Sequence, residues 1–506
     1  MSQFEAVSDD GGGAERRTSG GAALPGAGRA VQSWQGAAPG AELAAKLAAM
    51  AAGSDGDGLA ELNDFDLVEF TAAAQRMASW AHFLAASSAG ELARRESMQP
   101  SVAEAMSTSL TPERVAGDEI ALRLGWTSQA GQKLVREGCE YDGALAATGE
   151  ALREGRIDPG KARAIAGALE EVPPMLAVGV QDLVLPRAPR RTATQLGNDV
   201  RSAIVELDPT EAAARSERAR AKRCVSTPRA LPDGMAGLWY RASAVDVQAT
   251  YEAIDSAARA ARRAGDSRTL DQLRADLLAQ RVLHDSRCTD PNTNFPRGPG
   301  SVCRTAVRVD LRVLVPLSTL IGTDDEPGYL DEYGFIDPAT ARALAKGGTW
   351  RRLVTDPASG TVLDVGRTRY TPPADLAEHV RHRDRTCVRP GCDASAWKSE
   401  LDHTIAFHTN SAPGGSTSAG NLGPLSKGCH QLKTHANFKL KQLTPGRFRW
   451  TTPTGHVYDH RAGPPIRGAG NTDHIHVMRQ QLLEQYAPDP PTEPPEFDDD
   501  PGPPPF

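Results

Sequence analysis

The feature that most constrains the fold is a long stretch, residues 64–283, in which apolar residues recur at helical spacing between proline and glycine breaks. In "DPGKARAIAGALEEVPP", Asp158 takes the N-cap position, Pro159 takes the first helical position, and the Pro-Pro pair stops the helix. The segment "SAVDVQATYEAIDSAARAARRAGD" repeats this design, with apolar residues at 247, 251, 254, 258 and 261. The pattern predicts an α-helical domain over residues 61–283, with a short strand allowed in "PDGMAGLWYRAS".

The rest of the chain divides by composition. "AVRVDLRVLV" alternates as a half-buried strand does, "DPATARALAKGG" is a short helix capped by Asp337, and "ADLAEHVRHRDRTC" is another helix. We therefore predict a multidomain, mainly α protein in which a small α+β region follows the helical domain. The other segments are a disordered Gly/Ala-rich start (1–60), a linker (284–302), a mixed α/β connector (303–370), a small α+β domain (371–462) and a disordered Pro/Asp-rich tail (463–506).

Length and hydropathy bound the class of protein. A chain of 506 residues is too long for one compact core, which favours several domains. No window approaches the roughly 18 uncharged apolar residues of a membrane span, and "MSQFEAVSDDGGG" has neither the basic nor the apolar region of a secretory signal. The sequence predicts a cytoplasmic protein that does not contact membranes.

The charge is unevenly distributed. The formal net charge is −7, yet residues 404–458 contain no Asp or Glu. The basic residues of that segment include Lys427, Lys433, Lys439, Lys441, Arg447 and Arg449. A local basic face on an acidic protein is typical of a phosphate-binding module, although most runs of charge are simply solvated surface.

Four short pieces that carry chemistry follow one another between residues 387 and 435. They are Cys387-x4-Cys392, Asp402-His403, Asn421 and Cys429-His430. Each piece alone is a weak signal, since an Asp-His pair is often a core hydrogen bond and an isolated C-x4-C is a poor zinc signal. In this order, with "GGSTSAGNL" among them, the pieces resemble the HNH nuclease motif.

That resemblance implies two short strands and a helix that grip one metal ion, an arrangement called ββα-metal. Phosphodiester cleavage needs a water activated near neutral pH and positive charge at the leaving oxygen. His403 has the pKa of a general base, and Asp402 and His430 offer one carboxylate oxygen and one imidazole nitrogen to Mg²⁺ or Mn²⁺. Asn421 is expected to hold the loop that orients His403.

The cysteines are interpreted as a separate structural zinc site that staples a motif with little core of its own. The three thiolates would come from Cys387, Cys392 and Cys429. In HNH proteins of this sort a fourth cysteine commonly follows "NLxxL", and that position here is Ser426. The zinc site is then three-ligand, completed from elsewhere with His382 and His435 as candidates, or lost.

The resemblance extends along residues 64–462. Segments such as "EIALRLGWTSQAG", "GEALREGRIDPGKARAIA" and "GDSRTLDQLRADLL" are similar to a helical domain of unknown function, number 222, of actinobacterial proteins. "DEYGFIDPATARALA" and "WTTPTGHVYDH" are similar to the connector and end of the same proteins, often called the 13E12-repeat family. The resemblance does not indicate a substrate or a role for the helical domain.

The leading hypothesis is a metal-dependent HNH endonuclease acting on DNA, with an association with mobile elements. Lys427, Lys433 and Arg449 are the candidate phosphate contacts. One alternative is a catalytically silent DNA-binding or protein-interaction module that retains the HNH fold. Another is that the helical domain is the functional part.

Overall fold

The computed structural model describes residues 37–53, 58–283, 312–346, 371–407, 414–461 and 478. The chain divides into two compact units. One contains the residues up to Ser88 together with Arg136–Ala212, and the other contains Ala89–Val135 together with the chain from Ala213. Among the described residues, no helix is both long enough and apolar enough to cross a membrane. The predicted linker 284–302 lies outside the described residues, as do residues 347–370 of the connector and, apart from residue 478, the tail 463–506.

Helices dominate residues 41–283, as the sequence predicts. Their bounds are α1 Ala41–Ala52, α2 Asp64–Arg94, α3 Val102–Ser107, α4 Pro112–Leu124, α5 Ser128–Tyr141, α6 Ala146–Arg153, α7 Pro159–Leu169, α8 Pro174–Val184, α9 Ala193–Leu207, α10 Pro209–Ala221, α11 Ala244–Arg263 and α12 Leu270–Leu283. Short strand pairs interrupt them, and the expected strand in "PDGMAGLWYRAS" is confirmed as two. These strands are β1 Cys224–Val225, β2 Arg229–Ala230, β3 Ala236–Gly237 and β4 Tyr240–Arg241.

The expectation that residues 1–60 are disordered is wrong for α1. Its sequence, AELAAKLAAMAA, combines the best helix formers with leucines at a spacing of four residues. Leu43 and Leu47 are buried and pack in one cluster with Ala73 of α2. Apolar packing therefore orders a segment that overall composition assigned to a tail.

The first unit is a helical core in which α9 packs against α7 and α8. Helix α7 begins as predicted, because the Asp158 side chain accepts a hydrogen bond from the backbone N–H of Lys161 (2.9 Å) and Pro159 follows. Ile165 and Leu169, on the predicted face, are buried. The predicted periodicity thus marks the true core side of this helix.

Helices α11 and α12 pack against each other in the second unit, and the predicted apolar face of α11 is only partly buried. Ile254 and Ala258 are buried, but Tyr251 is 49% exposed. The guanidinium of Arg274 stacks on the Tyr251 ring at 5.6 Å, which shows how a charged side chain can cover part of an apolar face. Asp255 joins the two helices by accepting hydrogen bonds from Arg259 and Arg274.

The rest of the second unit contains short helices and small antiparallel sheets. The remaining helices are α13 Leu317–Ile321, α14 Pro338–Ala345, α15 Ala374–Asp384 and α16 Lys427–His435. The remaining strands are β5 Val313–Leu314, β6 Gly328–Leu330, β7 Gly334–Ile336, β8 Glu400–His403, β9 Leu422–Leu425, β10 Lys439–Thr444, β11 Arg447–Thr451 and β12 Val457–Arg461. Asp337 caps α14 by accepting from the Thr340 N–H (2.9 Å), as predicted. The alternating segment 306–315 lies outside the described residues apart from its end in β5.

A strand hairpin followed by a helix forms the centre of this region. Strand β8 pairs with β9, and α16 follows β9 directly and contacts both strands. Helix α15 packs on β9 through a buried cluster of Leu376, Val380 and Leu422. Strands β10, β11 and β12 form a separate meander, and Trp450 of β11 is fully buried with its indole N–H donating to the Val388 carbonyl (2.9 Å).

Helix α4 is part of the same unit and is fixed to it by buried polar contacts. Arg389 Nη2 lies 2.8 Å from Asp118 Oδ1 and donates to the Asp118 carbonyl at 2.9 Å, and both side chains are almost fully buried. Beside this pair, Thr452 Oγ1 donates to Glu119 Oε1 at 2.6 Å. A segment that the sequence places inside the helical domain therefore belongs to the structural unit that holds β8, β9 and α16.

Candidate active site and cysteine cluster

Strand register places the acidic and histidine side chains of β8. Asp402 pairs with Gly423 and His403 pairs with Leu422. Side chains alternate along a strand, so Glu400 and Asp402 share one face and His403 points to the other. Gly423 has no side chain, which leaves space for the Phe448 ring. A Cβ at this position would lie only 2.9 Å from that ring.

Asp402 and Glu400 meet one histidine of α16. Asp402 Oδ1 lies 3.3 Å from His430 Nε2, and Glu400 Oε2 lies 2.5 Å from His430 Nδ1. The hydrogen bond to Asp402, with that to Glu400, raises the pKa of His430 above its ordinary value. The imidazole of His430 therefore lies between the carboxylates of Asp402 and Glu400.

Lys433 occupies the other side of Asp402. Its Nζ donates to Asp402 Oδ2 and, at 2.7 Å, to the His403 carbonyl. Lys433 follows His430 by three residues, which puts both side chains on one face of α16. Lys433 was predicted to contact phosphate, whereas the structure places its ammonium group against the Asp402 carboxylate.

His403, the residue after Asp402 on β8, is buried. Its Nε2 lies 2.9 Å from Thr417 Oγ1, and its ring lies 5.6 Å from that of Phe407 at a tilt of 45°. Burial lowers the pKa of His403, and Lys433 lowers it further against the opposing charge of Asp402. These surroundings favour the neutral imidazole near neutral pH.

Asn421 fixes the chain that leaves β8. Its Oδ1 accepts hydrogen bonds from Thr404 Oγ1 (2.7 Å) and the Ile405 N–H (2.8 Å). Its Nδ2 donates to the carbonyls of Ile405 (2.9 Å) and Ser416 (3.0 Å). A buried amide with four partners thus links the residues that follow His403 to the glycine-rich loop, and its role in orienting His403 stays a prediction.

The predicted cysteines come together. The Sγ atoms of Cys387, Cys392 and Cys429 all lie within 4.8 Å of one another and could hold a metal ion. Hydrogen bonds from the thiols of Cys387 and Cys429 hold the pKa of Cys392 far below its ordinary value, and the same contacts raise the pKa of its two neighbours. Zinc–sulfur bonds of about 2.3 Å are compatible with three thiolates at this spacing.

Ser426, the position where a fourth cysteine was expected, lies beside this cluster. Its Oγ lies 3.8 Å from Cys392 Sγ and accepts a hydrogen bond from the Cys429 N–H (3.3 Å) as the N-cap of α16. The two histidine candidates lie elsewhere. His382 packs edge-on against Trp397 at 5.2 Å, and neither it nor His435 belongs to a metal-capable group among the described residues.

The predicted phosphate contacts differ in their surroundings. Lys427 is exposed in the first turn of α16. Arg449 forms a two-pronged pair with Asp459, at 2.6 and 2.8 Å. His408, interpreted as structural or exposed from the sequence, lies outside the described residues.

Sequence reasoning missed two members of the site. Glu400 lies two residues before Asp402, so the alternation of a strand could have identified it as a neighbour on the same face. Thr417 lies in the glycine-rich loop, and its contact with His403 had no signal in the pattern of residues.

Comparisons with known proteins identify the helical part of the chain. A family model described as "Domain of unknown function (DUF222)" matches residues 67–384, so it extends past the predicted helical boundary at 283 and ends just before Cys387. No solved structure matches the chain.

Relatives with this likeness are themselves uncharacterized. The chain is 30% identical over 295 residues to the uncharacterized protein Rv3776 of Mycobacterium tuberculosis H37Rv, covering 53% of this chain and 54% of the relative. It is 29% identical over 317 residues to the uncharacterized protein Rv2100 of the same strain, covering 54% and 55%. The chain thus spans about half the length of the curated relatives it matches. With the family model matching more than half of its residues, the chain belongs to the family defined by domain of unknown function 222.

Proposed function

We propose that this protein is a metal-dependent HNH endonuclease that hydrolyses phosphodiester bonds in DNA. The observation that carries the proposal is the contact of Asp402 with His430 where a two-stranded hairpin meets the helix that follows it, with His403 next to Asp402 on strand β8. The predicted motif requires two short strands and a helix in this order. The family model ends at residue 384, before these residues, so the proposal rests on geometry and chemistry.

His403 is assigned the role of general base. A base must be neutral before it accepts a proton from water, and burial favours the neutral ring here. Thr417 fixes the ring through Nε2, and Asn421 holds the backbone that follows. A base held in one orientation can contribute a factor of about 10² to 10⁴ in rate.

The residues at Asp402 and His430 fit a divalent cation. Their facing atoms, Asp402 Oδ1 and His430 Nε2, are 3.3 Å apart, which is close to the separation of two ligands that share one ion. One carboxylate and one imidazole suit Mg²⁺ or Mn²⁺ and leave positions open for water and phosphate. When bound, the ion supplies positive charge for the phosphate and the leaving oxygen.

Glu400 and Lys433 hold the two proposed ligands, His430 and Asp402, in place. A carboxylate on the far nitrogen of a metal-binding histidine fixes its tautomer and raises its basicity, and Glu400 is so placed on His430 Nδ1. Lys433 holds Asp402 from the other side and brings a positive charge close to where a phosphate would lie. We assign Glu400 as a positioning residue and Lys433 as a charge that orients Asp402.

The cysteine cluster is proposed to hold a structural zinc ion with Cys387, Cys392 and Cys429 as ligands. These residues tie the segment before β8 to the first turn of α16, the helix that carries His430. A metal-bridged link between these elements would keep the hairpin and the helix in register.

Cleavage of a supercoiled plasmid tests the proposal. Purified wild type, His403→Ala and His435→Ala are incubated with plasmid and Mg²⁺ or Mn²⁺, and DNA binding is measured in parallel by fluorescence anisotropy. His435 is the last residue of α16 and lies outside the site, so His435→Ala should cleave like wild type. His403→Ala should lose cleavage and keep DNA binding. Binding without cleavage by wild type would instead support the catalytically silent DNA-binding alternative. If wild type neither cleaves nor binds DNA, the proposed function is wrong.

A further inference from the structure

We propose that Arg312, Arg381 and Arg385 form a phosphate-binding site distinct from the candidate active site. Arg381 lies in the last turn of α15, Arg385 follows the end of that helix, and Arg312 precedes β5. The three side chains line one small cavity of about 20 Å³ together with Tyr329, Asp331 and Trp397. Arg385, Tyr329 and Asp331 also line a neighbouring cavity of about 440 Å³, which is large enough for a phosphate-bearing molecule. The other charged residues of this larger cavity are Glu332, Asp393 and Arg461, so its positive charge is confined to the arginines at its edges.

Two buried nitrogen donors of Arg385 carry the proposal. Its side chain is 5% exposed, and within the described part of the chain its buried Nε and Nη1 have no hydrogen-bond partner. The same holds for Nε of Arg381. Buried guanidinium groups are ordinarily paired, because an unpaired buried charge is costly. An oxyanion with several acceptor atoms would satisfy these donors.

Positive side chains outnumber carboxylates around the smaller cavity. Across the described residues, none of the three arginines forms an ion pair, and Asp331 is the one carboxylate that lines the smaller cavity. Burial raises the pKa of Asp331, and Arg312 acts in the opposite direction. Burial also lowers the pKa of Arg381, and Arg312 lowers it further. Burial lowers the pKa of Arg385 against the opposing charges of Tyr329 and Asp331.

Aromatic rings hold the guanidinium groups in place. Arg312 lies 4.0 Å and Arg381 5.5 Å from the centre of the Trp397 ring, and Arg385 lies 4.5 Å from that of Tyr329. Stacked guanidinium groups present their N–H donors in fixed planes that match phosphate oxygens. Arg385 also has a φ of 60° where it ends α15, a conformation that is uncommon for residues other than glycine.

The ligand class is a phosphate oxyanion, which two sources could supply. One is the backbone of a nucleic acid, and this source rests on the proposed function. The other is a small phosphate-bearing molecule that enters the larger cavity. The binding of phosphate itself depends on neither source.

Thermal unfolding of the full chain with inorganic phosphate tests the site. Wild type, the double variant Arg312→Gln/Arg381→Gln and Arg381→Lys are heated in rising phosphate and in chloride of equal ionic strength. Arg153→Gln, which removes an exposed arginine paired with Glu150, is the matched control. We expect phosphate but not chloride to raise the melting temperature of wild type and Arg153→Gln. The double variant should show no such shift, and Arg381→Lys should keep part of it. Circular dichroism checks that each variant is folded.

DNA binding distinguishes the two sources. The affinity for duplex DNA is measured against salt concentration in a His403→Ala background, so that cleavage plays no part. Loss of one phosphate contact should reduce the slope of log affinity against log salt by about 0.9. A reduced slope in the double variant, but not with Arg153→Gln, assigns the site to nucleic acid. An unchanged slope with a lost phosphate shift assigns it to a small molecule. If phosphate stabilises wild type and the double variant equally, or neither, the proposal is overturned.

Discussion

The contact between Asp118 and Arg389 makes a sharp prediction, because it joins α4 to the segment between two of the clustered cysteines. Both side chains are almost fully buried, and Arg389 donates to the Asp118 carbonyl as well as facing its carboxylate. Removing one partner of such a pair leaves an uncompensated buried charge and costs about 3–5 kcal/mol. Arg389→Met and Asp118→Ala should each destabilise the second unit by about that amount.

The double variant Asp118→Ala/Arg389→Met removes both charges and should recover much of the loss, since apolar replacement of a buried pair is often neutral. Hydrogen exchange read by mass spectrometry on peptides covering 385–395 follows this unit by itself. A loss of 3–5 kcal/mol corresponds to an opening equilibrium larger by roughly two to four orders of magnitude. Arg449→Met is the control, because its pair with Asp459 is exposed and worth at most about 1 kcal/mol. Single variants that cost no more than Arg449→Met would refute the reasoning.

Three further predictions follow from the same structure. Glu400→Gln should weaken Mn²⁺ binding by about 10- to 100-fold in calorimetry, because it removes the carboxylate that orients His430; an unchanged affinity would argue against this role. Ser426→Cys should retain zinc at chelator concentrations that strip wild type, and equal retention would show that Ser426 is not at the fourth position. Hydrogen bonds from Arg259 and Arg274 hold the pKa of Asp255 below its ordinary value, so this stabilisation is present above about pH 4 and lost as the pH falls through the folded-state pKa. Asp255→Asn should flatten that loss in thermal unfolding, and a melting temperature as acid-sensitive as that of wild type would contradict the assignment.

The candidate site was predictable from the sequence because its members are close along the chain or lie on short regular elements. Asp402 and His403 are on one strand and His430 follows on the next helix, and the resemblance of their order to the HNH motif, rather than any single spacing, predicts that they belong to one site. Ser426 was identifiable as the departure from a four-cysteine pattern, and the structure places it beside Cys392.

Other features depend on contacts that no local pattern encodes. Arg389 and Asp118 are separated by 271 residues, and nothing in either segment indicates the other. Tyr251 lies on the predicted apolar face of α11 but is 49% exposed, because periodicity identifies a face without showing how far the neighbouring helix covers it. Likewise α1 is ordered by its packing on Ala73, which composition averaged over 60 residues conceals.

The central claim is that His403 activates water for phosphodiester cleavage. The most direct measurement is the single-turnover rate of plasmid cleavage with protein in excess and Mn²⁺ present, for wild type and His403→Ala. We expect wild type to cleave only when the metal is present, and His403→Ala to cleave about 10² to 10⁴ times more slowly with unchanged DNA affinity. Equal rates in the two proteins, or no cleavage by a wild-type protein that binds both Mn²⁺ and DNA, would contradict it.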